Sequence, residues 1–269
     1  MKEKILLFIP GYNCEKQIYR VLNSLISDVL EYIEEVIVVN NRSKDNTELV
    51  VSQFIVEHPE IKLNLLRNDE NYGLGGSHKV AFSYAIKNGF DFVIVLHGDD
   101  QGDINDMLQV LRNGDHREYD CCLGARFQKG SRLKGYSSFR TFGNRVYNFL
   151  FSLVVAKQIY DLGSGLNIYN VNMLKHEFYK KFPDNLIFNY CMILASNFYK
   201  QKIMFFPITW KEDDQISNVK LFSQATRVLG FLANYFLQRG KFITSELRDQ
   251  PRECYTAQII NGKNVTYDK

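Results

Sequence analysis

Apolar positions along the chain follow two periodicities. Three short runs rich in branched residues, Ile5 to Ile9, Val36 to Val39 and Phe92 to Leu96, each close on a polar cluster with turn character. Unbroken runs of this kind suit strands buried on both faces. Between them apolar residues recur at helical spacing: Ile18, Val21, Leu22, Leu25 and Ile26, then Leu49, Val50 and Phe54, and again Val80 to Ile86 before Asn88-Gly89 stops the pattern. Strands alternating with helices predict an α/β chain, a doubly wound and mostly parallel sheet flanked by helices. Ligands of such sheets lie outside the carboxyl ends of the strands. That points to Pro10 to Glu15, Asn40 to Asp45 and His97 to Gln101, all polar.

The second half is less regular. A basic loop from Gly124 to Gly135, carrying Arg126, Lys129, Arg132 and Lys134, leads into a helix-like stretch from Phe139 to Ile159 and then into Asp161-Leu162-Gly163-Ser164-Gly165. A further strand is predicted over Ile203 to Ile208, and an amphipathic segment over Val219 to Leu237. No linker divides the halves, and the polar tail after about Thr244 is expected to be loosely ordered.

Composition narrows the class. With 269 residues, 45% of them hydrophobic, the chain can bury a sizeable core and is not a disordered one. Its 33 Lys and Arg against 30 Asp and Glu leave a net charge of +3, too balanced for a duplex nucleic-acid footprint. The first apolar run is cut by Pro10-Gly11 before a signal-peptide core is complete, and the longest later one, Phe149 to Ala156, falls far short of the ~20 residues of a membrane-spanning helix. The five cysteines form no Cys-x-x-Cys pair, which suits free thiols in a reducing compartment, so a cytoplasmic location is expected.

His97-Gly98-Asp99-Asp100-Gln101-Gly102-Asp103 offers oxygen donors at a strand end. Such a cluster suits Mg²⁺ or Mn²⁺ shared with a substrate diphosphate, with Asp99 the best single ligand. Solvated turn acids or helix N-caps explain the same pattern, Asp103 above all. Asn71 to Ser77 precedes a helix whose free N–H groups could favour an anion. Its spacing fails the dinucleotide fingerprint and it follows no convincing strand, so a structural turn that packs the helix close to a ligand is the reading. The basic residues from Arg126 to Arg145 form either a solvated face or a phosphate site. No histidine pair has metal-ligand spacing and no Gly-x-Ser-x-Gly elbow occurs, which sets hydrolase and zinc-enzyme readings aside.

Taken in order, these motifs resemble the family 2 glycosyltransferases of GT-A fold, and among them the branch of dolichyl-phosphate mannose synthase and polyprenyl-phosphate glycosyltransferases. The likeness runs from about Ile5 to Lys220. Pro10-Gly11-Tyr12-Asn13-Cys14-Glu15, Val39 to Thr47, Asn71-Tyr72-Gly73-Leu74-Gly75 before a helix, and His97-Gly98-Asp99-Asp100-Gln101 match the family's successive motifs. Gly124-Ala125-Arg126 and Asp161 to Gly165 match the synthase branch. The resemblance implies one GT-A domain over residues 1–245, with a nucleotide-sugar half over 1–110, an acceptor half over 111–245 and a C-terminal tail over 246–269. It places Pro10, Tyr12, Glu15 and Asn41 at the donor nucleotide and Gly73 among the substrate-binding residues. Asp99, Gln101 and His97 fall on metal positions for Mg²⁺ or Mn²⁺. Arg126 and Arg140 face the acceptor phosphate, and Ser164, Ser217 and Lys220 lie near substrate.

The departures carry information. His97 stands where the family has the first Asp of its metal motif, so either imidazole joins the shell or Asp99, Gln101 and diphosphate oxygens hold the ion. Asn40-Asn41 replaces an Asp pair, and an amide both donates and accepts where a carboxylate only accepts. The segment Ile187 to Tyr190, where the wider family carries its general base, holds no acid. An acceptor phosphate is already ionised and needs positioning more than deprotonation. The expected reaction is therefore inverting transfer of a hexose from a nucleotide-diphosphate sugar to a polyprenyl phosphate. Asp99 and Arg126 would be catalytic, with Asp161 a base should the acceptor be a hydroxyl. The alternatives are transfer to a glycan hydroxyl in surface polysaccharide synthesis, and a non-catalytic sugar-nucleotide-binding protein. A lipid-phosphate acceptor would bring the chain to the cytoplasmic membrane face as a peripheral protein.

Overall fold

The computed structural model describes residues 2–26, 28–212 and 221–260, with side chains omitted for 221–225. The first half alternates as expected: β1 (Ile5–Gly11), α1 (Glu15–Ser24), β2 (Glu35–Asn40), α2 (Thr47–Glu57), β3 (Leu63–Asn68), α3 (Gly73–Lys87) and β4 (Phe92–Leu96). Short helices α4 (Leu108–Asn113) and α5 (Asp115–Glu118) lead to β5 (Cys121–Ala125), β6 (Arg132–Lys134) and the long α6 (Ser138–Val155). Then follow β7 (Leu166–Asn170), α7 (Val171–Leu174), α8 (Phe188–Phe198), β8 (Ile203–Pro207) and β9 (Thr209–Lys211). Last come α9 (Leu221–Leu237), α10 (Arg239–Thr244) and β10 (Ala257–Ile259).

Among the described residues eight strands form one mixed sheet in the order β10-β3-β2-β1-β4-β7-β5-β8, and β6 pairs with β9 in a separate two-stranded ribbon. Strands β1 to β4 are mutually parallel where they pair, whereas β7 runs antiparallel to both β4 and β5. The continuous apolar runs are explained by burial on both faces. Leu6 and Phe8 of β1 face a core formed with α3, α6, α8 and α9, while Ile5, Leu7 and Ile9 face a second core formed with α1, α2 and α4.

Three interior strands of the main sheet were not legible as strands, nor were the short β6, β9 and β10. In β3, β5 and β7 the apolar run is broken by Asn64 and Arg67, by Gly124, and by Asn167, respectively. Because β3 ends at Asn68, the Asn71 to Ser77 segment does follow a strand, contrary to the sequence reading. Helix α6 stops at Val155, short of Ile159, because Ala156 turns the chain with φ +53°.

The expectation of a loosely ordered tail is corrected for residues 245–260, whereas 261–269 lie outside the described residues. Residues 245–260 are docked: the Leu247 N–H donates to the Lys181 carbonyl at 2.9 Å, Tyr255 Oη donates to Asp184 at 2.7 Å, and β10 pairs antiparallel with β3 at the sheet edge. A buried polar cluster fastens it. The ammonium of Lys79, on α3 and almost wholly buried, donates to the Phe182 carbonyl at 2.5 Å and to Asp184 at 2.6 Å, and Arg252 reaches the other Asp184 oxygen at 3.0 Å.

Candidate active site at the carboxyl ends of the strands

Sheet direction gathers the singled-out residues at one edge. Strands β1, β2, β4 and β5 end there, and β7, being antiparallel, begins there. The Gly98 N–H donates to the Pro10 carbonyl at 3.1 Å, the His97 N–H to the Gly165 carbonyl at 2.9 Å, and the Lys211 N–H to the Gln101 carbonyl at 2.9 Å. The loops after β1 and β4, the start of β7 and strand β9 are thereby laced together.

The loops after β1 and β2 hold each other. Glu15 accepts the Asn46 N–H at 2.9 Å, and the Asn13 N–H donates to Ser43 Oγ at 3.0 Å. Tyr12 stands out from this frame with 47% of its surface exposed, a ring available for stacking. Asn41 is turned inward. Its amide donates to Asn71 at 2.8 Å and accepts from Asn68 at 2.9 Å and from the Tyr72 N–H at 2.8 Å. It staples the loop after β3 to β2, with both ends of the amide engaged inside the protein. Beside it an open polar pocket of about 380 Å³ is lined by residues that include Arg42, Ser43, Glu48 and Arg67, but not by Asp99, Arg126 or Asp161.

The Gly73 turn packs against the chain at Pro183-Asp184. The N–H groups of Gly75 and Gly76 donate to the Asp184 carbonyl at 2.7 and 3.4 Å. Gly73 has φ +72°, and a Cβ there would lie 2.4 Å from the same oxygen. The segment is a structural turn with close packing, as its spacing suggested, but what it packs against is protein.

After β4, Asp99 is largely enclosed and burial raises its pKa to about 6, while Arg126 works in the opposite direction. Asp100 is drawn aside to Arg20 at 2.6 Å, and Asp103 caps the following turn by accepting the Asn105 N–H at 3.0 Å. The imidazole of His97 packs against Gly165, where an added Cβ would meet the ring at 2.8 Å. It stands edge-on to His78 with centroids 6.3 Å apart. His97 Nε2 is buried without a hydrogen-bond partner, and burial lowers its pKa to about 4, so the ring is neutral. Among the described residues no three His, Cys, Asp or Glu side chains converge on one point.

Arg126 and Asp161 form a buried ion pair at the site. Guanidinium Nε and Nη2 donate to the two carboxylate oxygens at 2.8 Å each, and the Arg126 N–H adds a third bond of 2.8 Å. Burial works against the charge on Arg126, but the Asp161 carboxylate more than offsets it and the pKa rises. The guanidinium also lies 4.9 Å from the Trp210 ring and 5.9 Å from that of Tyr136. Arg140 stacks over Tyr136 at 4.8 Å and is held by both oxygens of Glu212, at 2.7 and 2.6 Å. Ser164 is buried in the turn before β7, its hydroxyl 3.3 Å from the Leu166 carbonyl and from Asn167 Oδ1. Ser217 and Lys220 lie outside the described residues.

The fold thus brings Asp99, Gln101, Arg126 and Asp161 to one rim, with Arg140 beside Arg126, while Asn41, Gly73 and Ser164 each make close contacts within the protein. Sequence reasoning missed Trp210 and Tyr136, the aromatic walls around the two arginines. The signal was the chain's single tryptophan, placed just after a strand.

The chain is similar to known proteins in sequence and in fold. The model of the family described as "Glycosyl transferase family 2" matches residues 7–178. UDP-N-acetylglucosamine--dolichyl-phosphate N-acetylglucosaminyltransferase of Methanococcus voltae is 26% identical over 188 residues, covering 65% of this chain and 73% of that protein. The undecaprenyl-phosphate mannosyltransferase of Micrococcus luteus is 22% identical over 172 residues, covering 64% and 68%. Among solved structures, glucosyl-3-phosphoglycerate synthase from Mycobacterium tuberculosis superposes with a TM-score of 0.60 at 13% identity, covering 87% of this chain and 80% of that one. S. aureus TarS superposes with a TM-score of 0.58 at 19% identity, covering 90% and 70%. Those two likenesses concern the fold. The family match spans the strand-end loops described above, from β1 through the Arg126–Asp161 pair and beyond β7, and on that ground the chain belongs to glycosyl transferase family 2, a nucleotide-sugar glycosyltransferase of GT-A fold.

Proposed function

We propose that this glycosyltransferase moves a hexose, with inversion, from a nucleotide-diphosphate sugar to a phosphate-bearing acceptor, and that the acceptor is a polyprenyl phosphate. The observation that carries the proposal is the state of Asp161. A general base needs a carboxylate that can take a proton, whereas both oxygens of Asp161 receive N–H bonds from Arg126. Asp161 is therefore a positioning residue for the guanidinium. A phosphate acceptor asks for what the site offers, cations held in fixed orientation, and it attacks through an oxygen that is already negative. The relatives named for dolichyl phosphate and undecaprenyl phosphate support the same acceptor class.

In this reading Arg126 and Arg140, braced by Trp210 and Tyr136, hold the acceptor phosphate against the sugar, and Tyr12 stacks on the nucleotide base. Asp99 is a hard oxygen donor that fits Mg²⁺ or Mn²⁺, with Gln101 adjoining it; His97, turned to the interior, contributes packing. A cation there would be shared between Asp99 and diphosphate oxygens, where it would offset the charge gathering on the departing nucleoside diphosphate.

Incubation with radiolabelled nucleotide sugars and a polyprenyl phosphate tests the proposal. Label extracted with the lipid phosphate is the expected result. Label that enters a free glycan and never the lipid would overturn the acceptor assignment in favour of a hydroxyl acceptor, and binding of donor without turnover or donor hydrolysis would overturn the enzymatic reading altogether.

A further inference from the structure

Helix α6 turns an apolar stripe to solvent. Phe139, Phe142, Val146, Phe149 and Leu153 recur at intervals of three and four, so they share one side of the helix. They are 75%, 68%, 40%, 60% and 62% exposed, while Asn148, Phe151 and Val155 on the opposite side are buried in the core. Helix α9, which packs beside α6, also exposes apolar side chains, Leu229, Phe236 and Leu237. Arg239, at the start of α10, joins the two by donating to the Val154 carbonyl at 3.2 Å. Exposed apolar area this concentrated marks an interaction surface.

Charge says what covers it. The forty residues from Cys121 to Tyr160 contain seven Lys or Arg and no Asp or Glu, in a chain whose net charge is only +3. Lys129, Arg132, Lys134, Arg145 and Lys157 are exposed, before and on the strand that leads into α6, on α6 itself and just past its end. The stretch from Gln215 to Ser245, which includes α9 and α10, likewise has no acid. Pairing two copies of this face would oppose cation to cation around the apolar stripes. An anionic bilayer offers both complements, hydrocarbon for the phenylalanines and phosphate headgroups for the basic rim.

We infer that the α6–α9 face docks on an anionic lipid surface, with the phenylalanine stripe inserted at the headgroup boundary and the rim cations on lipid phosphates. Strand β6, which leads into α6, pairs with β9, whose Trp210 walls Arg126. Docking by this face therefore turns the arginine end of the active site toward the membrane plane, where a lipid-borne acceptor would be met. That purpose rests on the acceptor proposed above; the docking itself does not need it.

The test is flotation of the full chain with vesicles of phosphatidylcholine containing about 30% phosphatidylglycerol, against pure phosphatidylcholine, in the absence of donor and acceptor. Association with the anionic vesicles, reduced at least tenfold by Phe142→Ser with Phe149→Ser and made insensitive to salt by Arg145→Glu with Lys157→Glu, is expected. Unchanged circular dichroism and donor hydrolysis show that the variants are folded. No association of the unaltered chain, or equal association of the serine variant, overturns the inference. So does a concentration-dependent dimer that the serine variant disperses, which would assign the face to a second copy. Vesicle binding without lipid-phosphate glycosylation would sink the acceptor proposal alone, and glycosylation of a short-chain soluble prenyl phosphate without vesicle binding would sink the docking alone.

Discussion

Arg126 and Asp161, thirty-five positions apart, meet through two side-chain hydrogen bonds of 2.8 Å at the junction of β5 and the turn before β7. Both are nearly enclosed, with 10% and 2% of their side chains exposed. A charged pair in such a place is costly to break and sets the direction in which the arginine points.

Substituting Asp161→Asn keeps the shape and removes the charge. Loss of one partner of a buried pair is expected to lower stability by about 3–5 kcal/mol and to reduce kcat by about a hundredfold through misplacement of Arg126. The residual activity should keep the pH profile of the unaltered enzyme. Disappearance of its acidic limb in the variant would show Asp161 to be the base after all.

Asp99 binds a proton more tightly in the folded protein, near pH 6, than in the unfolded chain, near 3.8. Between those values the native state holds the extra proton, so stability falls as pH rises, and the cost is complete above about 6. Asp99→Asn should therefore stabilise the protein at pH 8 by about 1–3 kcal/mol, leave it little changed near pH 4, and abolish transfer. Urea denaturation at the two pH values, alongside a transfer assay, measures both effects.

Lys79 works with the opposite sign of charge. Burial brings its pKa down to about 8 from 10.5, against the pull of Asp184. Between those values the unfolded chain carries the proton more often than the native one, so this group makes stability rise with pH across the window. Lys79→Met should flatten that rise, read as the difference between the melting temperatures of variant and unaltered protein from pH 8 to pH 10.

Gly73 and Gly89 have nearly the same backbone angle, φ +72° and +68°, but a Cβ would strike the Asp184 carbonyl at the first and meet nothing within 4 Å at the second. Gly89→Ala is expected to cost about 1 kcal/mol, and Gly73→Ala at least twice that, because the close contact adds to the backbone strain. Chemical denaturation of the two variants decides it.

The parts of the fold legible in sequence were those with one dominant cause. Strands β1, β2 and β4 announce themselves because burial on both faces forbids polar residues. Strand β7 does not, because Asn167 inside it supplies hydrogen bonds to its neighbours, accepting the Gly124 N–H at 3.2 Å. At the site, Asp99, Arg126 and Asp161 were each visible as residues, yet their relation was not. Local spacing carries no trace of the antiparallel strand that brings residue 161 back to 126. Asn41 shows something else, a task its place in the motif did not announce: buried beside Asn68 and Asn71, it staples the loop after β3 to β2.

The C-terminal segment closes the molecule over distances that sequence order conceals. Thr256 and Gln258 reach Asp69 from nearly two hundred positions away, and Tyr255 and Arg252 complete the surroundings of Asp184. During synthesis, then, the strands made earlier must wait for the segment around residue 255. Until residues around 255 have left the ribosome, the edge of β3 is an open template and the ammonium of Lys79 is without its tyrosine neighbour.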